Sequence, residues 1–307
     1  MTFKERMVAV ERGPRQGKWQ VFGPMPGFGR RGRRSIGCVV TCVALSLIYL
    51  PTLAAAQDRF EIQVYDSQTA PPMALGLEVH INYDAKGATQ GTDDGELPTD
   101  RVSRYTLEPH LGLADWCELG GYFQTALRPE GRFDYAGVKL RFKARLLRPV
   151  ANLIGLAVNT EISAIPRAYE ASRFGSEVRP IADLRYRRLY VSFNPILSID
   201  FAGPLAGHPQ FQPATKLSLD VIKGLALGVE HYAGLGPIDG LLSASRQTHF
   251  VYAALDWTSS LFDLNLAGGR GFGQADPWVV KAIVGVHWEP QDAAHPSLAA
   301  RTRHVSR

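Results

Sequence analysis

The chain has 307 residues, of which 45% are hydrophobic and 21% are charged, and its formal net charge is +5. Its first 56 residues hold nine Lys or Arg and two Glu, so the rest of the chain carries about two negative charges. The sequence pI of about 9.1 is therefore a property of the leader. It gives no reason to expect a nucleic-acid partner.

The N-terminal leader has the three parts of a secretory signal peptide. The basic stretch "RRGRR" precedes an apolar run at 35–50, and small residues lead up to Ala56. We predict a signal peptide over 1–56 that is cleaved after Ala56, and hence export from the cytoplasm. Residues 1–24 exceed what such a leader needs, so we expect an over-extended start. The alternative is an uncleaved signal anchor, although the run is shorter than the ~20 residues of a spanning helix.

Cysteine usage limits the chemistry of the exported chain. Cys38 and Cys42 lie in the leader, which leaves Cys117 alone in the mature protein. An intramolecular disulfide or a multi-Cys metal site is therefore impossible.

A strict alternation of apolar and polar side chains begins after residues 57–73, which we interpret as a periplasmic N-terminal strap. The alternation recurs in about twelve segments of roughly ten residues between 74 and 288. It is clearest in "YAGVKLRFKARLL" at 135–147. A period of two is typical of β-strands, whose successive side chains point to opposite faces. We predict an all-β protein, a closed antiparallel transmembrane β-barrel of about 12 strands.

The connections between these segments favour a barrel over a secreted β-sandwich, which remains the alternative fold. Long polar loops follow the first, fifth and ninth segments, and tight turns follow the second, sixth, eighth and tenth. Outer-membrane barrels have long loops outside and short turns in the periplasm. Aromatic residues also recur at the segment ends, where membrane-interface girdles lie. They are Tyr83, Tyr105, Trp116, Tyr190, Phe201, Phe211, Trp257, Phe262, Trp278 and Trp288.

Charged residues of both signs occupy the polar face, which would line the lumen. Four cations follow one another on the fourth segment, and acidic residues on nearby segments can pair with them. Such pairs would either fill the lumen structurally or leave a narrow charged path for solutes. The candidate lumen and selectivity residues are Lys139, Arg141, Lys143, Arg145, Glu108, Glu118, Glu161, Asp183 and Arg185.

Several segments between about 59 and 288 resemble Gram-negative outer-membrane β-barrels of a transporter-like type, including the family linked to meta-pathway phenol degradation. The resemblance rests on "FEIQVYD", "GLEVHIN", "GVKLRFK", "EVRPIADLRY", "FNPILSIDFAG", "FQPATKLSLDV", "ALGVEHYAGLGP", "FDLNLAGGRGF" and "WVVKAIVGVHW". It implies the architecture and an outer-membrane location, and no ligand residue. Such barrels usually end on an aromatic residue, whereas here Trp288 precedes a polar tail, 289–307, which we predict to be disordered.

Motifs for catalysis or cofactor binding are weak. His231 falls on the lipid-facing side, and no Ser is predicted to face it. A hydrolase needs a nucleophile beside its base, and the sequence does not predict such a pair. His80 and His110 could ligate a metal, but a third ligand cannot be identified, and polar lumen residues are the simpler interpretation. "GGRGFG" is not followed by a helix, as a nucleotide loop would be. We expect no enzyme activity, cofactor or metal.

Two functional hypotheses follow. The first is a passive transporter or channel, porin-like, that admits an unknown small-molecule solute across the outer membrane. The second is a non-conducting structural or surface-binding barrel whose loops at 84–100, 165–177 and 234–247 contact a partner. In both, the partners are outer-membrane lipid and the barrel-assembly machinery. The sequence leaves open whether "QDRFEIQVYD" enters the lumen as a plug.

Overall fold

The structure, a computed structural model, describes residues 58–92, 95–150 and 153–288, without the side chains of 147–150. The predicted leader and tail lie outside these ranges. The described residues form twelve strands, three of which are interrupted. They are β1 (Leu75–Lys86), β2 (Ser103–Ala114), β3 (Cys117–Leu127), β4 (Phe133–Val150), β5 (Ile154–Ala164), β6 (Phe174–Tyr186), β7 (Leu189–Asn194 and Leu197–Asp200), β8 (Gln210–Phe211 and Ala214–Ile222), β9 (Leu225–Gly234 and Gly236–Pro237), β10 (Thr248–Thr258), β11 (Asp263–Gly273) and β12 (Trp278–Trp288).

The strands close into a single antiparallel barrel. Each strand pairs with its neighbours in the chain, and β1 also pairs with β12, with Leu75 opposite Trp288. The alternative of a two-sheet sandwich is therefore wrong, and the predicted barrel of about twelve strands is confirmed. The interruptions in β7 and β8 fall at Pro195 and Pro213, because proline has no N–H to donate to a ladder.

The two faces of the barrel differ as the alternation predicts. On β4, Leu140 faces outward and is 56% exposed, whereas Arg141 faces inward and is 2% exposed. The same contrast holds along β1, where Ile81 is exposed between buried His80 and Asn82. Polar side chains therefore fill the interior, and apolar ones form the outer surface.

One predicted girdle residue lies elsewhere. Tyr190 faces inward and is buried, with the Arg185 guanidinium 4.7 Å from its ring. It is the second residue of β7, and the alternation of side chains along this strand makes it face the lumen. Trp257, Trp278 and Trp288 are exposed on the outer surface.

Loops at the two ends of the barrel differ in length. One end, here the long-loop end, carries 87–102, 165–173, 201–209 and 238–247. The other, the short-turn end, carries two-residue turns such as 115–116, 187–188 and 223–224. A single 3-10 turn, Ala244–Arg246, interrupts one long loop. Among the described residues, no helix has the length and hydropathy to cross a membrane.

Candidate functional site

The segment that precedes β1 runs through the interior of the barrel. At the long-loop end Arg59 contacts Asp276 at 3.2 Å, and at the short-turn end the Ala70 N–H donates to Glu118 at 2.6 Å. An extended chain advances about 3.3 Å per residue, enough for this segment to span the barrel. Residues 58–72, which are called the strap from here on, therefore lie in the lumen, a position that the sequence left open.

Side chains of the barrel wall hold the backbone of the strap. The Lys281 ammonium donates to the carbonyl of Ile62 at 2.7 Å, and Thr106 donates to that of Phe60 at 3.0 Å. Arg179 donates to the carbonyl of Gln63 at 3.2 Å. A buried backbone needs such partners, because an unpaired carbonyl away from water is costly. The strap is thus bound to the wall through wall side chains and adds no strand to the barrel.

Tyr65 is the central contact of the strap. Its N–H donates to Asn194 at 2.8 Å, and its carbonyl accepts from Ser192 at 2.6 Å. Its hydroxyl is 2.6 Å from the hydroxyl of Tyr122 and 2.6 Å from Glu61, to which it donates. Its backbone therefore binds β7 while its side chain binds β3, so this one residue links two parts of the wall that are four strands apart.

Three cations surround the ring of Tyr65. The charged groups of Arg141, Lys143 and Arg179 lie 5.6, 5.3 and 4.5 Å from the ring centroid. A cation over an aromatic face is attracted to the ring quadrupole, more strongly where water is excluded. Part of the predicted cation row thus stabilises the strap directly.

Two of the predicted cations form ion pairs with predicted acids. Arg141 is 3.0 Å from Glu108 and 2.7 Å from Glu118. Lys139 is 3.1 Å from Glu161 and also contacts Asp58 of the strap. These ion pairs lie in the lumen, and a role of the residues in selectivity stays a prediction.

The other four predicted residues lie nearer the short-turn end and have different partners. Lys143 is 3.4 Å from Asp66 of the strap, and Arg145 donates to the carbonyl of Asp115. Asp183 accepts hydrogen bonds from the N–H and hydroxyl of Ser67 rather than pairing with the β4 cations. Arg185 is 55% exposed and 3.6 Å from Asp220.

A second buried ionic group was not singled out from the sequence. Glu230 lies between two ammonium groups, 3.1 Å from Lys216 and 2.6 Å from Lys281. Lys216 and Glu230 are directly opposite on β8 and β9, a pairing that the strand register predicts. Lys281 comes from β12, which is several strands away, so its contact depends on the curvature of the closed barrel.

Apolar side chains of the strap face the half of the wall that contains this second group. Ile62 and Val64 pack in one cluster with Ile196, Phe250 and Tyr252. Phe60 packs in another, with its ring 5.5 Å from that of Tyr169 in the 165–173 loop. The side of the lumen that Ile62 and Val64 face therefore combines an apolar cluster with the ionic group of Lys216, Glu230 and Lys281.

A cavity of about 150 Å³ lies beside the strap toward the short-turn end. Its lining is mostly polar and includes acids from four strands. The charged residues of the lining are Glu78, Lys216, Glu230, Asp256, Asp263 and Lys281. A second cavity, by Glu61 and Arg179, has about 10 Å³, close to the minimum for one water molecule.

Glu78, His80 and Glu108 bring three possible metal-ligand atoms within 4.8 Å of one another. These atoms already have protein partners. His80 is 2.9 Å from Glu108, whose other oxygen is 3.0 Å from Arg141, and Glu78 accepts from Gln63 at 3.2 Å. The predicted alternative with His110 does not form this group. The trio therefore acts as a part of the ionic network.

Two long loops close over the start of the strap. The N–H of Leu97 donates to the carbonyl of Ala168 at 2.9 Å, and Tyr169 donates to Asp134 at 2.8 Å. Burial and this hydrogen bond raise the pKa of Tyr169 to about 12. Burial and repulsion by Asp58 raise the pKa of the neighbouring Glu170 to about 8.

The raised pKa of Glu170 predicts that the stability of the strap in its bound position depends on pH. Its neutral form is favoured in the folded protein, so this stabilisation is complete below about pH 4.5 and is lost as the pH rises through about 8. We expect hydrogen exchange of 58–66, corrected for its intrinsic pH dependence, to accelerate over this range. Glu170→Gln should remove the acceleration, and Glu130→Gln in a neighbouring loop should not. An unchanged pH dependence in Glu170→Gln would contradict the assignment.

Comparison with known proteins supports the fold. No protein-family model and no curated protein matches the chain. It is similar to the COG4313 outer membrane channel from Pseudomonas putida F1, with 13% identity and a TM-score of 0.51 over 74% of this chain and 100% of that one. The likeness to the KdgM porin is weaker, with 8% identity and a TM-score of 0.46 over 70% of this chain and 99% of that one. The likeness to LpxR from Salmonella typhimurium has 12% identity and a TM-score of 0.38 over 69% of this chain and 99% of that one. The first match shows a shared barrel fold, and the phenol-degradation family stays a prediction.

Proposed function

We propose that this protein is an outer-membrane channel for small polar solutes whose resting state is occluded by the strap. The observation that carries the proposal is the way the strap is bound. It contributes no strand to the barrel, and side chains such as Lys281 and Asn194 hold its backbone. It can therefore move without breaking a single ladder hydrogen bond of the wall.

The membrane location is part of the same proposal. Large apolar side chains such as Leu140, Leu217 and Val229 are about half exposed on the outer face, at 56%, 50% and 49%. A continuous apolar exterior around a polar interior suits a barrel in lipid and would aggregate in water. Outer-membrane lipid and the barrel-assembly machinery are then the expected partners, after export by the predicted signal peptide.

The cavity beside the strap supports a path for solutes. It lies at the short-turn end, among Lys216, Asp256 and Asp263, and supplies both charges to a polar solute. The COG4313 protein, which shares the fold, is described as an outer membrane channel. We assign the predicted lumen residues, Lys139 to Arg145 and their acids, to the wall of the path that opens when the strap moves.

A non-conducting structural barrel is the second candidate. The observation in its favour is the density of buried ion pairs around the strap, such as Lys139 with Glu161 and Arg141 with Glu118. Buried pairs of this kind order a lumen without requiring transport. In this role the long loops would provide the binding surface.

Liposome swelling separates the two candidates. The mature protein would be reconstituted and exposed to a series of neutral and charged solutes of increasing size. A channel predicts swelling that falls with solute size, above that of protein-free liposomes. If neither the mature protein nor a variant without the strap admits any solute, the channel is excluded and the structural barrel remains.

A further inference from the structure

One side of the outer surface of the barrel carries a group of basic side chains. On the described strands β9–β12 and β1, the ionisable side chains that face outward lie near the long-loop end. They are His231, His249, Arg270 and Lys86. Their orientation follows from their neighbours, since Glu230 and Tyr232 on either side of His231 are buried in the lumen.

The strand register places three of these groups in one row. Val251 is opposite both His231 and Arg270. Trp278 is opposite both Arg270 and Lys86, which follows a register shift at the end of β1. Adjacent strands are about 4.8 Å apart, so Arg270 lies roughly 10 Å from Lys86 on one side and from His231 on the other.

Aromatic rings indicate the depth at which this row lies in the membrane. The Arg270 guanidinium is 5.6 Å from the ring centroids of both Phe272 and Trp278, which are exposed. Such rings mark the membrane interface. The imidazoles of His231 and His249 are 3.2 Å apart, a polar pair that suits head-group depth.

The opposite side of the barrel near the long-loop end has several aromatic pairs and one exposed cation, Arg173, 5.4 Å from the Phe174 ring. The rings of Tyr105 and Phe133 are 6.4 Å apart, and those of Phe123 and Tyr135 are 5.8 Å apart. A cation on the lipid-facing surface is unfavourable in hydrocarbon and is tolerated only near the interface, where it can reach water and head groups. Arg270 and Lys86 at this depth could therefore pair with an anionic lipid head group.

We propose that Arg270 and Lys86, flanked by His231 and His249, bind the phosphate groups of a lipid in the outer leaflet. Guanidinium binds phosphate through two parallel N–H donors, and Lys86 supplies a second positive charge on the other side of Trp278. The acyl chains would lie on the apolar surface below, at Val229 and Val280. This inference rests on the proposed membrane location.

Native mass spectrometry of the detergent-purified protein tests the site with bisphosphorylated lipid A as the probe. Lipid A with the same acyl chains and no phosphate, and inorganic phosphate as a competitor, are the comparison arms. The unmodified protein should retain the bisphosphorylated lipid, and the double variant Arg270→Gln, Lys86→Gln should bind it roughly tenfold more weakly through lost charge-assisted hydrogen bonds. Arg187→Gln is the matched control, because Arg187 is stacked 5.3 Å from the Tyr186 ring at the other end.

Three outcomes would overturn the proposal. The double variant could bind as the unmodified protein does, the phosphate-free lipid could bind equally well, or inorganic phosphate could displace the lipid at matched concentration, which would point to a site for free phosphate. Each variant must first show the heat-modifiable gel migration of the folded barrel. Failure of the unmodified protein to insert into liposomes would refute the membrane location itself, whereas insertion without phosphate dependence would refute this site alone.

Discussion

Deletion of residues 58–72 from the mature chain is expected to turn a nearly silent barrel into a conducting one. Eight-stranded barrels are filled by their side chains and sixteen-stranded ones hold an aqueous channel, so a twelve-stranded wall has room for a path once the strap leaves. In planar bilayers we expect at least a roughly tenfold rise in conductance over the intact protein. The added conductance should be steady rather than brief, because the occluding segment is absent.

A single substitution tests the same claim in case the chain with the deletion does not fold. Tyr65→Ala removes the hydroxyl contacts with Glu61 and Tyr122 and the ring between the cations, but keeps the strap backbone. It should produce brief openings of the same size as those of the deletion. Tyr135→Ala, a change of the same kind on the outer surface, should stay silent. Equal conductance in the intact and deleted proteins would show that the strap does not occlude the lumen.

Arg141→Met is expected to cause a large loss of stability. Arg141 is 2% exposed and lies between Glu108 and Glu118, so its removal leaves two buried carboxylates without their cation. Breaking a buried pair in this way costs about 3–5 kcal/mol. The loss should appear in reversible urea unfolding of the barrel in lipid vesicles.

Arg185→Met provides the matched comparison. Arg185 is 55% exposed and pairs with Asp220 at 3.6 Å, so its loss should cost less than about 1 kcal/mol. Adding Glu108→Gln and Glu118→Gln to Arg141→Met should restore part of the lost stability, because the carboxylates become neutral. Similar costs for Arg141 and Arg185, or no restoration, would mean that the buried network contributes little.

The strands of the barrel wall can be predicted from the sequence because their pattern depends only on residues close together in the chain. Lipid outside and a polar lumen inside impose a period of two, and each strand repeats it independently. β4 therefore stands out at 135–147, close to its observed bounds Phe133–Val150. The interruptions at Pro195 and Pro213 are also local, although the alternation alone does not predict them.

The interior is harder to predict because its contacts are non-local. The strap segment "FEIQVYD" has the same alternation as a strand, so its pattern does not distinguish a plug from a wall. Arg141 and Arg185 belong to the same set of candidates, yet one is buried and the other lies at the rim. Lys281 and Glu230 meet only because the barrel closes. Sequence spacing contains none of these distances.

The position of the strap is the central claim, and a cysteine cross-link tests it most directly. In a Cys117→Ser background, Ser67→Cys and Asp183→Cys would be oxidised in intact outer membranes, since the Ser67 hydroxyl is 2.9 Å from Asp183. Ser163→Cys with Gly175→Cys, directly opposite on β5 and β6, is the control for reactivity. Efficient cross-linking of both pairs is the predicted result. Cross-linking of the control pair alone would place the strap outside the lumen and contradict the account.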